Sequence, residues 1–141
     1  MAHTMEDETQ HYVGKIAQKA IIEMDGKVLI TKGIGDGDTW EFPGGRLHID
    51  EEPLLGLQRE IKEELGIAIP ALTPIFVGRS LFKRNNTWRI LIGWHGVLPS
   101  GTEFQIDSSE VAETRWLTRD ELRTVRLFDD CREMANTFLL R

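Results

Sequence analysis

The sequence predicts an α/β fold, a mixed sheet with helices on its faces. Three observations carry that expectation. Two short extended runs flank Asp25-Gly26; an apolar stripe at helical spacing follows from Leu54 to Leu65; and further extended runs lead to helix-opening signals at Thr118 and Asp129. Strands flanking a central helix, with helices again at the end, bury one stripe of each helix against a sheet.

Element by element, the reasons are local. MAHTMEDETQ is polar and acidic, so residues 1–12 predict a flexible tail and 13–141 a single domain. Ala20-Ile21-Ile22 and Val28-Leu29-Ile30 predict two strands, and Asp-Gly suits a turn whose central residues take positive φ. A glycine loop, Gly33 to Asp38, leads into Trp40-Glu41-Phe42-Pro43-Gly44-Gly45. Asp50 is expected to cap the next helix, with Glu51, Glu52 and Pro53 in its first turn. Leu54, Leu57, Ile61 and Leu65 form its stripe, Gly66 stops it, and Pro70 prevents resumption. Residues 72–82 and 87–98 predict two strands around an Asn85-Asn86 turn, and Thr114 to Leu117 a short one. Thr118-Arg119-Asp120-Glu121 has the capping-box pattern, and residues 129–139 predict a last helix.

Composition narrows function. One domain is the expectation for 141 residues. Seventeen basic against 23 acidic side chains, net -6, oppose a duplex-DNA binder, which needs a basic face. No apolar run approaches the roughly 18 residues of a membrane span, and the first residues lack the basic start and apolar stretch of a secretory signal. A cytoplasmic protein is expected. One cysteine, Cys131, makes neither an internal disulfide nor a multi-cysteine zinc site, and reads as packed core. Gly33-Ile34-Gly35 does not open a helix at once, as a dinucleotide loop must. Asp36 and Asp38 start like a calcium loop, but its glycine and closing glutamate are missing.

The helix after Pro53 carries the chemistry. At 100° per residue from Leu54, Leu57, Ile61 and Leu65 fall at about 300°, 340° and 20°. Glu60, Glu63 and Glu64 fall at about 240°, 180° and 280°, on one flank of that stripe. An exposed acidic flank costs little. Half-buried, two carboxylates ~6 Å apart repel by about 3 kcal/mol at an effective dielectric of ~20, and a divalent cation reverses the sign. Both readings stand on the residues alone. Hard oxygen donors without thiols or imidazoles suit Mg²⁺ or Mn²⁺.

The spacing adds a family. Gly45, Glu51, Arg59, Glu60, Glu63, Glu64 and Gly66, with apolar Ile61 and Ile67, make a complete match to the box of the Nudix hydrolases, which this segment resembles. Chance gives about one in a billion per window. Trp40 to Gly45 resembles the family's approach to the box, and Glu113 to Leu117 its closing strand, so the resemblance spans roughly residues 15 to 125. It implies an α/β/α sandwich around a mixed sheet, and metal-dependent hydrolysis of the diphosphate linkage in nucleoside diphosphates joined to another group. It implies Glu60 and Glu64 as metal ligands, Glu63 as a further ligand or general base, and the Gly44 carbonyl as a backbone ligand. The catalytic set is then Arg59, Glu60, Glu63 and Glu64, with Arg59 pairing to Glu51, while Gly45, Glu51 and Gly66 are structural members of the box. Relatives supply one more glutamate six residues before the late Trp116, here Glu110, with Glu113 its competitor. Trp116 itself reads as core.

Substrate choice is thinner. Residues 79–84 carry neither the proline of ADP-ribose enzymes nor the tyrosine of dinucleoside polyphosphate enzymes that the resemblance would place near there. The expectation is a nucleoside-triphosphate pyrophosphatase; an ADP-ribose or nucleotide-sugar pyrophosphatase and a non-catalytic nucleotide-binding module are the alternatives. Lys32 either meets a phosphate or is a surface lysine. Phe128 and Asp129 either face the base, or pack inside and cap the last helix respectively. The partner is a small nucleotide, and a homodimer stays open.

Overall fold

The computed structural model describes residues 10–82 and 86–141. Residues 1–9 of the expected tail, and Lys83, Arg84 and Asn85 of the expected turn region, lie outside the described residues. The described strands are β1 (Ile16–Met24), β2 (Lys27–Gly33), β3 (Gly44–Arg46), β4 (Thr73–Phe82), β5 (Thr87–Val97) and β6 (Val111–Leu117). The described helices are α1 (Pro53–Leu65), α2 (Arg119–Thr124) and α3 (Asp129–Leu139).

The sheet runs β4-β5-β1-β2-β6, with β3 added beside β1. β1 and β5 are parallel, from Ile16↔Ile90 to Glu23↔Val97, and the other pairings are antiparallel. The β1–β2 turn is the expected one: Asp25 and Gly26 have φ of 53° and 76°. Beyond Glu23↔Val28 the two strands part. The chain from Trp40 to Leu47 fills the gap. It bonds β2 through Thr31 and Glu41 in both directions, and β1 through Ala20 N–H to Pro43 O at 2.9 Å and Leu47 N–H to Ile16 O at 2.9 Å. The short strand β3 arises there; it has no apolar alternation, so the sequence did not announce it.

Alternation along β1 and β2 sends side chains to two cores. Ala20, Ile22 and Leu29 meet Leu57, Ile61 and Leu65 of α1 on one face. Ile21, Val28 and Ile30 meet Leu122 of α2 and Cys131, Met134 and Phe138 of α3 on the other. Helices therefore cover both faces of one mixed sheet, as the resemblance implied. Trp116 is half-buried against the α1 core, edge-on to Phe104.

Two local expectations fail. Asp50 does not cap α1: the helix starts at Pro53 with Glu52 at its N-cap and no side-chain cap. Glu51 accepts from His48 N–H at 2.9 Å instead, so the acids bracing this turn lie before the helix and none lies in its first turn. Nor does Asp129 cap the last helix. Phe128 holds that position and is 39% exposed, while Asp129 is the first helical residue. By contrast, Thr118 and Glu121 form the full capping box, and Gly66 ends α1 with φ 69°. Among the described residues no helix is long and apolar enough to cross a membrane.

Candidate active site

Burying Leu57, Ile61 and Leu65 fixes the rotation of α1, and so fixes where its carboxylates point. Arg59 ties that helix to the loop before it. Its Nε and Nη2 donate to both oxygens of Glu51 at 2.6 and 2.9 Å, a bidentate fork. These bonds, with the His48 N–H, hold the Glu51 carboxyl down at about 2. Arg59 Nη1 also donates to Glu60 Oε1 at 3.1 Å and Glu63 Oε2 at 3.2 Å. One guanidinium thus gathers three box carboxylates.

Glu64 takes a different partner. Its Oε2 accepts from Gly44 N–H at 3.3 Å. Burial pushes the Glu64 carboxyl up to about 7, against the pull of Lys19 and that N–H. Burial also pushes Glu60 up, opposed by Arg59 and reinforced by the charges of Glu63 and Glu110. Glu110, from the loop before β6, is therefore an electrostatic neighbour of Glu60. Two glycines make the approach possible. A Cβ on Gly44, whose φ is 153°, would lie 1.9 Å from Gln18 O; a Cβ on Gly45 would lie 2.4 Å from Glu60 Cδ.

These residues fit a hard divalent cation by their chemistry. The donors are carboxylate oxygens on one helix flank, and the buried Glu64 charge lacks full compensation, which a cation would supply. Glu60, Glu63 and Glu64 could hold it, with Gly44 alongside. In the arrangement described, Arg59 stands against Glu60 and Glu63 while Glu64 turns to Gly44. Among the described residues no three His, Cys, Asp or Glu side chains converge as a ready cluster.

Beside Lys19, which lies within the field of Glu64, opens a cavity of about 1270 Å³. Lys19 and Glu41, which form a close ion pair, make its inner wall, and Phe128, Asp129 and Asp130 at the start of α3 line it with Ser80 and Arg89 of the β4–β5 pair. Burial opposes charge on Lys19, but Glu41 foremost, with Glu64 adding to it, raises its pKa overall. Asp36, from the glycine loop, also lines the cavity; burial and its hydrogen bond with Glu41 push it up.

The sequence-derived site residues therefore separate into groups. Gly44, Gly45, Glu51, Arg59, Glu60, Glu63 and Glu64 come together around α1, with Glu110 beside Glu60. Phe128 and Asp129 line the cavity. Lys32 lies apart from it: its Nζ pairs with Glu113 at 3.4 Å and sits 4.4 Å from the Trp40 ring centre. The β2–β6 register sets it directly opposite Glu113. Lys19 and Glu41 escaped sequence reasoning. A lysine inside an otherwise apolar strand, between Ala17 and Ala20-Ile21-Ile22, was the available signal.

Comparison with known proteins agrees with this architecture. The NUDIX domain model matches residues 17–138. A "MutT-like protein" of Streptomyces ambofaciens is 36% identical over 104 residues, covering 72% of this chain and 62% of the relative. A "CTP pyrophosphohydrolase" of Escherichia coli (strain K12) is 47% identical over 51 residues, 34% of this chain and 38% of the relative. This chain thus spans less than two thirds of either relative's length. The crystal structure of a MutT NUDIX hydrolase from Burkholderia pseudomallei superposes with a TM-score of 0.76 at 23% identity, over 87% of this chain and 96% of that one, a likeness of fold. With the box complete, its carboxylates on one helix flank and the domain model matching nearly end to end, this chain belongs to the Nudix family.

Proposed function

We propose that this protein is a divalent-metal-dependent pyrophosphohydrolase of nucleoside diphosphates linked to another group, with nucleoside triphosphates as the first substrate class, released as monophosphate and pyrophosphate. The observation that carries the reading is the box geometry: Glu60, Glu63 and Glu64 share one flank of α1, the first two gathered by Arg59 and the third by Gly44 N–H. Lys19, within the field of Glu64, lines a cavity whose wall includes an exposed aromatic, Phe128. A bound Mg²⁺ or Mn²⁺ supplies charge neutralisation at the phosphoryl oxygens and acidifies water. Glu60, Glu63, Glu64 and the Gly44 carbonyl hold the cation, with Glu110 as a further donor. Arg59 keeps Glu60 and Glu63 on one side of the helix. Glu63, the most solvent-open of the three with its side chain half exposed, orients the attacking water. Phe128 offers a ring on which a base stacks. The likeness to a pyrophosphohydrolase named for CTP supports the triphosphate branch. The same reading places the protein in the cytoplasm with a small nucleotide as its partner.

The test is a phosphate-release screen with Mg²⁺ or Mn²⁺ over nucleoside triphosphates, ADP-ribose, nucleotide sugars and diadenosine polyphosphates, run beside Glu64→Gln. Turnover of triphosphates that disappears in the variant, with its melting transition intact, is the expected result. Equal turnover in Glu64→Gln, or none by the wild type on any substrate, overturns it.

A further inference from the structure

The candidate metal site draws one acid, Glu110, from outside α1, and the chain that carries it is fastened to that helix. Gly66 ends α1 and leaves room for a close approach: a Cβ there would lie 2.7 Å from both Cβ and O of Gln105. The approaching segment donates to the carbonyls of the last two helical residues, Gln105 N–H to Leu65 O and Asp107 N–H to Glu64 O, both at 2.9 Å. Helix ends leave such carbonyls without intrahelical partners, so a segment that supplies N–H groups is held there. Phe104 anchors the same segment, half-buried against the α1 core and edge-on to Trp116 at 5.7 Å. Asp107 then turns the chain. Its Oδ1 accepts from Ser109 N–H at 2.9 Å and Ser109 Oγ at 2.6 Å. Its backbone carbonyl accepts from Glu110 N–H at 3.1 Å and Val111 N–H at 2.9 Å. A carboxylate bonded to the residue two ahead fixes a turn that the backbone alone leaves loose. Beyond the turn, buried Val111 starts β6. Glu110 is thereby carried at one offset from Glu60, which its charge reaches, while Glu113 is paired with Lys32.

We propose that Asp107 is a positioning residue for the hydrolysis: with its N–H on the Glu64 carbonyl and its carboxylate on Ser109, it ties the turn of Glu110 to the last turn of α1, so that donors from two segments meet one cation at a set spacing. The inference deepens the metal-dependent reading above and rests on it. In this role Asp107 touches neither cation nor substrate and acts through Glu110. A loose turn must be ordered each time a cation binds, and that loss of conformational freedom subtracts from affinity. A turn ordered in advance avoids the loss. The role needs the Asp107 oxygen as an acceptor and not as a charge, and a carboxamide presents the same Oδ1 to Ser109. Removing a hydrogen-bond partner that orients a metal's donors typically lowers affinity by about 10- to 100-fold.

The experiment is Mn²⁺ binding to the full chain without nucleotide, read as loss of the free-ion signal in electron paramagnetic resonance, with melting transitions recorded alongside. Asp107→Ala is expected to bind Mn²⁺ about tenfold more weakly than wild type. Asp107→Asn, which keeps the acceptor oxygen, stays close to wild type. Ser109→Ala removes the hydroxyl donor, keeps the N–H bond and falls between the two; should Asp107→Ala melt early, it carries the same comparison. In a Glu110→Ala background Asp107→Ala adds no further loss, because the group it positions is already gone, whereas independent sites would add. A merely structural role lowers the melting transition and weakens Mn²⁺ equally in both backgrounds. Wild-type affinity in folded Asp107→Ala, an Asn variant as weak as the Ala one, or equal losses with and without Glu110 overturns the proposal. A wild type that binds no Mn²⁺ removes the metal-dependent reading along with this one. Tight binding that Asp107→Ala leaves unchanged removes only the role of Asp107.

Discussion

Replacing Gly45 by Ala isolates the geometry of the carboxylate flank from the stability of the fold. The added Cβ would lie 2.4 Å from Glu60 Cδ and 2.6 Å from Glu60 Oε2. Ordinary carbon–carbon contact is about 3.5–4.0 Å, so the carboxylate must retreat by roughly 1 Å or more. It sits at the far end of a flexible side chain, so the retreat is cheap, below about 1 kcal/mol. A misplacement of about 1 Å at reacting groups costs on the order of 10²-fold in rate. Gly45→Ala is therefore expected to melt within a few degrees of wild type, yet lose about a hundredfold in Mg²⁺-dependent phosphate release. The neighbouring Gly44→Ala is the contrast: its Cβ meets the Gln18 carbonyl at 1.9 Å in a strained backbone, so it should fail to fold. Wild-type turnover in a folded Gly45→Ala would refute the reasoning, because Glu60 would then have no part near the reacting atoms.

Other expectations follow from the same contacts. The Glu51 carboxyl lies near 2 when folded and in the ordinary range, about 4.5, when unfolded, so the stabilisation from its fork with Arg59 is full above pH 4.5 and is lost as pH falls toward 2; acid titration of Arg59→Met should show that loss already present at neutral pH and a shallower acid limb. Burial pushes the Cys131 thiol up to about 12, so a thiol reagent at pH 8 should label the protein only when denaturant unfolds it; fast labelling of the native chain would contradict the α3 packing. Ile61→Ala removes a fully buried side chain between α1 and the sheet and should cost roughly 2–5 kcal/mol in chemical denaturation, with a value under 1 counting against the packing described.

Much of this arrangement was legible because its signals are short-range. The Asp25-Gly26 hairpin, the Leu57-Ile61-Leu65 stripe and the Thr118 capping box each depend on residues within a few positions of one another. The carboxylate flank followed from helical periodicity, and the Glu51–Arg59 fork from the box spacing. What stayed hidden is what the fold assembles from distant segments. Asp50 looked like a cap, but Glu51's bonds to His48 and Arg59 delay the helix start to Pro53. Lys32 reads from sequence as either a phosphate contact or a surface lysine, and its partner Glu113, set opposite it by the β2–β6 pairing, is 81 positions away and invisible to a local pattern. Lys19 meets Glu41 only because β1 and β2 part and admit the chain from Trp40 onward, a geometry that no local pattern encodes.

The two-faced sheet behaves as a bulkhead. The α1 compartment is packed on Ala20, Ile22 and Leu29, and the compartment of α2 and α3 on Ile21, Val28 and Ile30, so the two share strands but few side-chain neighbours. Substitutions at the start of α3 can reshape the cavity without repacking the helix that carries the box, and the reverse holds too. Variation in the two compartments is thereby decoupled: an unaltered box on one side is compatible with many cavities on the other. Lys19, reaching from β1 to Glu41 and within the field of Glu64, is where that independence ends, and where a single substitution would be felt on both sides.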